Sequence, residues 1–172
     1  MTTTKTTYEM LLGFNIVAQN YLRKNKENAD TKLGYAISKM AKKVQKAIKP
    51  IQELEQSRNE KIEETNIDFA SVDPTSKVIV FDITKDDRGQ DVRNYRYTKE
   101  DLKKRNIEIK KVAKEHEDKF NEMLEKEVEL ESPYYSTEMP ADLTSEEIKY
   151  FTGIVLNPIA IKVTNGELQK QD

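Results

Sequence analysis

The sequence predicts a mainly α-helical chain with one small β-hairpin, an α+β fold built on an elongated, coiled-coil-like pair of antiparallel helices. Three observations lead to this prediction: two long segments whose apolar residues recur at alternating spacings of three and four, a β-like stretch between them, and the order of charges along both segments. Short helices flank the pair, and the hairpin lies at its tip. We expect a single elongated domain over residues 1–172, because one domain commonly has about 100–150 residues.

Both short flanking helices are predicted from capping boxes. The first covers residues 8–25 and begins where Thr6 and Glu9 have capping-box spacing. The last covers residues 144–156, and Thr144 stands three residues before an acid in the same pattern.

A long helix is predicted over residues 31–64, capped by Asp30 or Thr31. Its apolar seam consists of Leu33, Ile37, Met40, Val44, Ala47, Ile51 and Leu54. Pro50 lies inside this helix and has no amide hydrogen, so we expect a kink over residues 47–49.

The hairpin is predicted over residues 78–97, where the runs VIVFDIT and VRNYRY surround the loop KDDRGQD. A second long helix follows over residues 99–131, begins with Thr98 and Asp101, and ends before Pro133. Its predicted seam consists of Leu102, Asn106, Ile109, Ala113, His116, Phe120 and Met123.

The charges favour an antiparallel arrangement of the two long helices. Residues 31–49 contain six Lys and no acid, for a net charge of +6, and residues 53–64 contain five Glu and two bases, for −3. Residues 99–114 contain seven bases and three acids, for +4, and residues 115–131 contain eight acids and two bases, for −6. If the chain turns back at the hairpin, opposite charges face each other at both ends. Exposed pairs contribute only about 0–1 kcal/mol each, so they set orientation more than stability.

The composition limits the classes of site and of location. Hydrophobic residues make up 36% of the chain, charged residues make up 35%, and the net charge is −2. There is no Cys, which excludes disulfides and thiolate metal sites and fits a reducing cytoplasm. The N-terminal sequence does not have the pattern of a secretory signal, and we expect no membrane association.

The hairpin loop invites a calcium interpretation because it contains Asp86, Asp87 and Asp91. Arg88 interrupts the alternation of oxygen ligands that an EF-hand loop needs, and Gly89 after polar residues is typical of a turn. We therefore expect turn chemistry here and no metal site.

His116 is the only histidine, and it falls on a predicted helix seam. A zinc site needs further ligands, and a catalytic base needs a partner, so we interpret His116 as a packed seam residue. No catalytic, cofactor-binding or metal residue is predicted, and no cofactor.

A nucleic-acid interface is the alternative interpretation of the Lys-rich segment. Its candidate residues are Lys39, Lys42, Lys43, Lys46 and Lys49. Spaced positive charge is enough for phosphate contacts, but no aromatic side chains interleave with these lysines for base stacking. We favour neutralisation by the acidic end of the second long helix.

A two-stranded ribbon is marginal alone, so the hairpin must pack on the helix ends, on the aromatic C-terminal segment with Tyr134 and Tyr135, or on another protein. A protein interface is the preferred interpretation. The candidate partner-binding residues are Phe81, Asp86, Asp87, Arg88, Arg93, Tyr95, Tyr97, Tyr134 and Tyr135.

The order of these elements resembles a family of small tailed-bacteriophage proteins of unknown function. The resemblance is carried by the helix TKLGYAISKMAKKVQKAIKPIQELEQSRNEKIEE with its Glu55-x-x-Arg58 pair, the DDRG turn, the helix end KFNEMLEKEVEL and the closing segment LTSEEIKYFTGIVL. It covers Tyr8 to Leu156. The chain departs from the family in a longer linker over residues 67–77 and in a tail over residues 157–172.

The resemblance implies a phage protein. Our first hypothesis is a non-enzymatic virion structural or assembly component that acts through contacts with phage structural proteins or with itself. It would be found in the host cell cytoplasm during infection and in the virion. The alternatives are a phage-encoded regulator that binds a host protein such as RNA polymerase through the hairpin tip, and a weak nucleic-acid binder that uses the Lys-rich helix.

Overall fold

A computed structural model describes residues 3–24, 30–131 and 133–157. The elements in chain order are β1 (Thr3–Thr7), α1 (Tyr8–Lys24), α2 (Lys32–Ala47), α3 (Lys49–Phe69), β2 (Phe81–Lys85), β3 (Asp91–Tyr95), α4 (Lys99–Leu124), β4 (Glu127–Glu131) and α5 (Ser145–Phe151). Helices with two small antiparallel sheets confirm the predicted α+β class.

The chain forms two compact units. Unit 1 combines Met1–Ile51 with Glu122–Asp172, and unit 2 is the continuous segment Gln52–Asn121. The expectation of one elongated domain stays a prediction.

The core of unit 1 lies between α1, α2, α5 and β4. Phe151 is fully buried, and its ring meets the rings of Phe14 and Tyr21 edge-on at 5.9 and 5.7 Å. The buried side chains that surround them include Leu11, Leu33, Ile37, Met40, Val44, Leu130, Ile154 and Val155. Burying one such side chain contributes about 1.5–3 kcal/mol, so this cluster is the main source of stability in unit 1.

The seam predicted for the first long helix is confirmed over α2, where its four apolar residues from Leu33 to Val44 are buried. Of the two predicted caps, Thr31 is right, because its Oγ accepts a hydrogen bond from Gly34 N at 2.9 Å. The helix is not continuous to residue 64: α2 ends at Ala47, and α3 begins at Lys49. The break lies where the kink was predicted. Pro50 stands in the first turn of α3, where the backbone N–H groups have no partner within the helix, so the missing amide hydrogen of proline costs no hydrogen bond.

The predicted end of the second long helix, residue 131, is wrong. α4 stops at Leu124, and Glu127–Glu131 form strand β4. In EVELE the apolar residues alternate with acids, so the strand directs Val128 and Leu130 towards the core and its acids outwards.

Strand β1 was not predicted at all. It pairs antiparallel with β4, so that Thr4 lies opposite Leu130 and Thr6 lies opposite Val128. The cap of α1 is also one residue later than predicted, because Thr7 Oγ1, and not that of Thr6, accepts from Met10 N at 3.3 Å.

Helix α5 begins with the predicted capping box at Thr144 and Glu147. It ends at Phe151, five residues earlier than the predicted end at 156. Gly153 adopts a φ of +80°, which turns the chain so that Ile154 and Val155 are buried in the core without being helical.

Unit 2 contains most of α3, the β2–β3 hairpin and α4 up to Asn121. Glu55 contacts His116, and Asn66, eleven residues later in α3, bonds Arg105, eleven residues earlier in α4. These two helices are therefore antiparallel, as the charges predicted.

The seam predicted for α4 is only partly right. Ile109, His116 and Phe120 are half-buried as expected, whereas Leu102, Asn106 and Ala113 are exposed. Arg105 and Val112 take the inward positions next to the exposed ones. Arg105 faces inwards because its guanidinium donates to Asn66 Oδ1 of α3, and this hydrogen bond fixes which side of α4 faces α3.

Candidate functional site

The hairpin predicted as a binding element is formed by five residue pairs, from Phe81 opposite Tyr95 at its base to Lys85 opposite Asp91 at its tip. Residues opposite each other share a face of the ribbon. One face therefore carries Phe81, Ile83, Arg93 and Tyr95, and Phe81 and Tyr95 have ring centroids 5.0 Å apart.

The base of the hairpin is attached to α3 by two tyrosines. Tyr95 Oη donates to the Glu63 carboxylate, and Tyr97 Oη donates to Asn66 Oδ1 at 3.4 Å. The bond to the Glu63 carboxylate raises the pKa of Tyr95, because the carboxylate stabilises the protonated phenol. Arg105 lies over the Tyr97 ring at 5.6 Å. Tyr95 and Tyr97, predicted to meet a partner, thus have a position and partners inside unit 2.

The opposite face of the hairpin is tied together by polar contacts. Arg96 Nε donates to Asp82 Oδ1 at 2.8 Å, and this bond raises the pKa of the Arg96 guanidinium. Asn94 Nδ2 donates to Thr84 Oγ1 at 2.7 Å. These cross-strand bonds hold the ribbon in one register.

The loop has the turn chemistry that the sequence predicted. Asp86 Oδ1 accepts from the backbone N–H groups of Arg88 and Gln90 at 2.9 and 2.8 Å, and Gly89 has a φ of +75°. Asp86 therefore shapes the turn, while Asp87 and Arg88 are exposed at its end. Among the described residues, no group of three acidic or histidine side chains is arranged to hold a metal ion.

Apolar side chains remain uncovered on the hairpin. Ile83 is 68% exposed, and Phe81 and Val92 are each 38% exposed. Ile83 and Val92 were not among the candidate partner residues, although the apolar alternation in VIVFDIT was a signal that could have identified Ile83. Glu63 and Asn66, which anchor the hairpin, had no signal in the sequence.

Tyr134 and Tyr135 belong to unit 1 and form a surface of their own there. The Tyr134 ring meets the Tyr35 ring edge-on at 5.5 Å, and Tyr135 Oη donates to Gly153 O at 3.5 Å. Tyr35, Tyr134 and Tyr135 line an open cleft of about 300 Å³.

The Lys-rich segment has several contacts inside unit 1. Lys39 lies over the Tyr35 ring at 5.2 Å, and Lys43 Nζ donates to Glu131 O at 2.9 Å. Lys46 lines a groove together with acidic residues of β4, as the charge order predicted. Lys42 and Lys49 are exposed.

No protein-family model matches the chain, and no curated protein or solved structure is significantly similar to it. Within residues 3–24, 30–131 and 133–157, no helix has both the length and the apolar character needed to cross a membrane.

Proposed function

We propose that this protein acts by binding another protein through the β2–β3 hairpin, without catalysis. The resemblance to tailed-phage proteins adds the setting: the partner is a structural protein of the phage particle, and this chain is a virion or assembly component.

The observation that carries the proposal is a hairpin fixed at its base and uncovered at its apolar positions. Tyr95 and Tyr97 hold the base on α3, so the ribbon is presented in a defined orientation within unit 2. Ile83 and Val92 project from opposite faces of the ribbon and are exposed. Burying such side chains against a partner stabilises the complex by about 25 cal/mol per Å² of apolar surface removed from water.

The backbone of the hairpin adds a second means of recognition. Bonds from Arg96 N to Val80 O and from Asp86 N to Gln90 O close the two ends of the β2–β3 pair. Since bonding residues alternate along an antiparallel strand, the even-numbered residues of β2 also bond to β3. In an antiparallel pair the alternate residues direct their N–H and C=O groups away from the neighbour strand. Phe81, Ile83 and Lys85 therefore offer their backbone groups to a strand of a partner.

Groups with shifted pKa values support a non-catalytic interpretation, because local structure accounts for the shifts. Hydrogen bonds from Ser76 and Thr75 lower the pKa of Asp73, and an ion pair with Glu100 raises the pKa of Lys104. Burial raises the pKa of Tyr21 in the core of unit 1.

The proposal is tested with a photo-crosslinking amino acid at position 83, produced during infection of the phage's host. The control carries the same amino acid at Ile107 of α4, which is 56% exposed in the same unit. We expect position 83 to crosslink a phage structural protein, and we expect mass spectrometry to detect the chain in purified particles. A crosslink to a host enzyme supports the regulator instead, and equal crosslinking from both positions refutes a hairpin site.

A pair of variants measures the contribution of the apolar side chains. Ile83→Ser with Val92→Ser removes exposed apolar surface, so the fold should be retained. Losing about 1.5–3 kcal/mol per side chain at an interface weakens binding at least tenfold. Ile107→Ser is the matched control and should leave incorporation into particles unchanged.

A further inference from the structure

A small cavity lies between α3 and α4 inside unit 2. It has a volume of about 30 Å³, and its apolar wall is made by Leu54 and Val112. A cavity of this size holds one small species, since one water needs about 10–15 Å³ measured in this way.

Two buried nitrogen atoms at this cavity have no hydrogen-bond partner among the described residues: Arg58 Nε and His116 Nε2. Both residues line the cavity, one from each helix. The His116 side chain is only 10% exposed, and its ring stacks on Phe120 with centroids 5.8 Å apart. Arg58 Nε is a donor in every state, and His116 Nε2 is a donor in one neutral tautomer and in the cation.

Glu55 does not resolve this shortage of acceptors. Its Oε1 lies 3.2 Å from His116 Nε2, but the two groups are not aligned for a hydrogen bond. Its Oε2 pairs with Arg58 Nη2 at 3.0 Å, and the Glu55 side chain is 39% exposed.

The charges around the cavity distinguish an anion from a water molecule. The lining contains three cations, Arg58, Lys61 and Lys119, and one acid, Glu115. Glu55 adds a second negative charge beside it, which leaves an excess of one positive charge with His116 neutral. Two buried donors without a hydrogen-bond partner, on residues that line the cavity, and an excess of positive charge favour an occupant that accepts hydrogen bonds and is negatively charged.

We propose that this cavity binds one small inorganic anion of halide size, which accepts hydrogen bonds from Arg58 Nε and His116 Nε2. The bound anion connects α3 to α4 and stabilises their pairing. Among the described residues of unit 2, Ala70 is the only buried apolar one, so the ion would add to polar contacts between the helices such as that of Arg105 with Asn66.

The direct test is a crystal of the full-length protein grown or soaked in bromide. We expect an anomalous bromide peak within hydrogen-bonding distance of both nitrogen atoms. Ordered water at that point without an anomalous signal overturns the proposal. This measurement uses the unchanged chain and does not depend on any variant folding.

Chloride NMR line broadening tests the same site in solution. The unchanged protein should broaden the chloride signal, and Arg58→Met and His116→Phe should each abolish the excess broadening; the Phe variant keeps the ring stack on Phe120. Lys114→Gln removes one positive charge from an exposed position of α4 outside the cavity and is the matched control. Equal broadening by all four proteins means general attraction of chloride and overturns the site. Competition by inorganic phosphate at concentrations well below those of chloride overturns the assignment of size.

Discussion

Replacing Gly13 of α1 by Ala tests how closely α1 and α5 approach each other. A Cβ at this position would lie 2.0 Å from Tyr150 Cε1 and 2.3 Å from Cδ1. Non-bonded carbon atoms prefer separations of about 3.5 Å or more, so the ring of Tyr150 has to move by more than 1 Å. Tyr150 packs against the core cluster, which opposes that movement.

The magnitude is the balance of two opposing terms. Ala in place of Gly inside a helix stabilises it by about 1 kcal/mol. Overpacking at a packed position costs about 1–3 kcal/mol. We therefore expect Gly13→Ala to lower the free energy of unfolding by about 1 kcal/mol. In the Tyr150→Ala background the ring is absent, so the same substitution should raise the free energy of unfolding by up to about 1 kcal/mol.

The assay is urea unfolding of the four proteins of this double-mutant cycle, followed by the amide NMR signals of α1. Signals from one helix are needed because the chain has two compact units, and a whole-chain signal can combine two transitions. A stabilising effect of Gly13→Ala in both backgrounds would refute the close approach of the two helices.

Three further predictions concern a cap, the core and a turn. Thr144→Ala removes the acceptor for Glu147 N and should cost about 1 kcal/mol in urea unfolding, whereas Thr144→Ser should stay close to the unchanged protein. Phe151→Ala should cost about 3–5 kcal/mol by the same assay, and a cost below 1 kcal/mol would contradict its burial. Hydrogen bonds, first the one from Ser76 N, lower the pKa of Asp73. The stability that they give to the turn should therefore be fully present at pH values above the ordinary Asp pKa, and should be lost as the pH falls through the lowered pKa. Carbon NMR titration should show this lowered pKa. Ser76→Ala removes the bond from Ser76 Oγ and keeps the backbone bond, so it should move the pKa only part of the way back towards the ordinary value. An ordinary pKa in the unchanged protein would exclude these bonds.

The parts of the fold predicted from the sequence are those with local signals. The α2 seam has a three-and-four spacing that only a helix places on one face, and Pro50 marks the break between α2 and α3. Strand β4 was missed because EVELE continues a segment rich in good helix formers. Its partner β1 lies more than 120 residues away, and nothing in a polar Thr-rich stretch indicates which distant strand it will meet.

The candidate site was predictable to a similar extent. The hairpin and its turn follow from alternation and from Asp86 and Gly89, which are local features. The roles of Tyr95 and Tyr97 were not predictable, because their partners Glu63 and Asn66 come from another element through tertiary contact. Exposure also had to be seen in the structure, since an apolar residue in a strand is equally compatible with a core.

The distribution of burial leads to one more prediction, which bears on the proposed binding of a partner by the hairpin. The fully buried apolar side chains of the described residues lie in unit 1, apart from Ala70, and no residue of α4 is fully buried. Amides of α2 should therefore be protected from hydrogen exchange more strongly than those of α4, because local opening costs less where less apolar surface is buried. Native-state hydrogen exchange measures this difference, and equal protection of both helices would mean that α4 gains stability from contacts other than apolar burial. A weakly stabilised unit that presents an uncovered hairpin gains most when a partner covers it. Protection of α4 should therefore rise in the complex while protection of α2 stays the same.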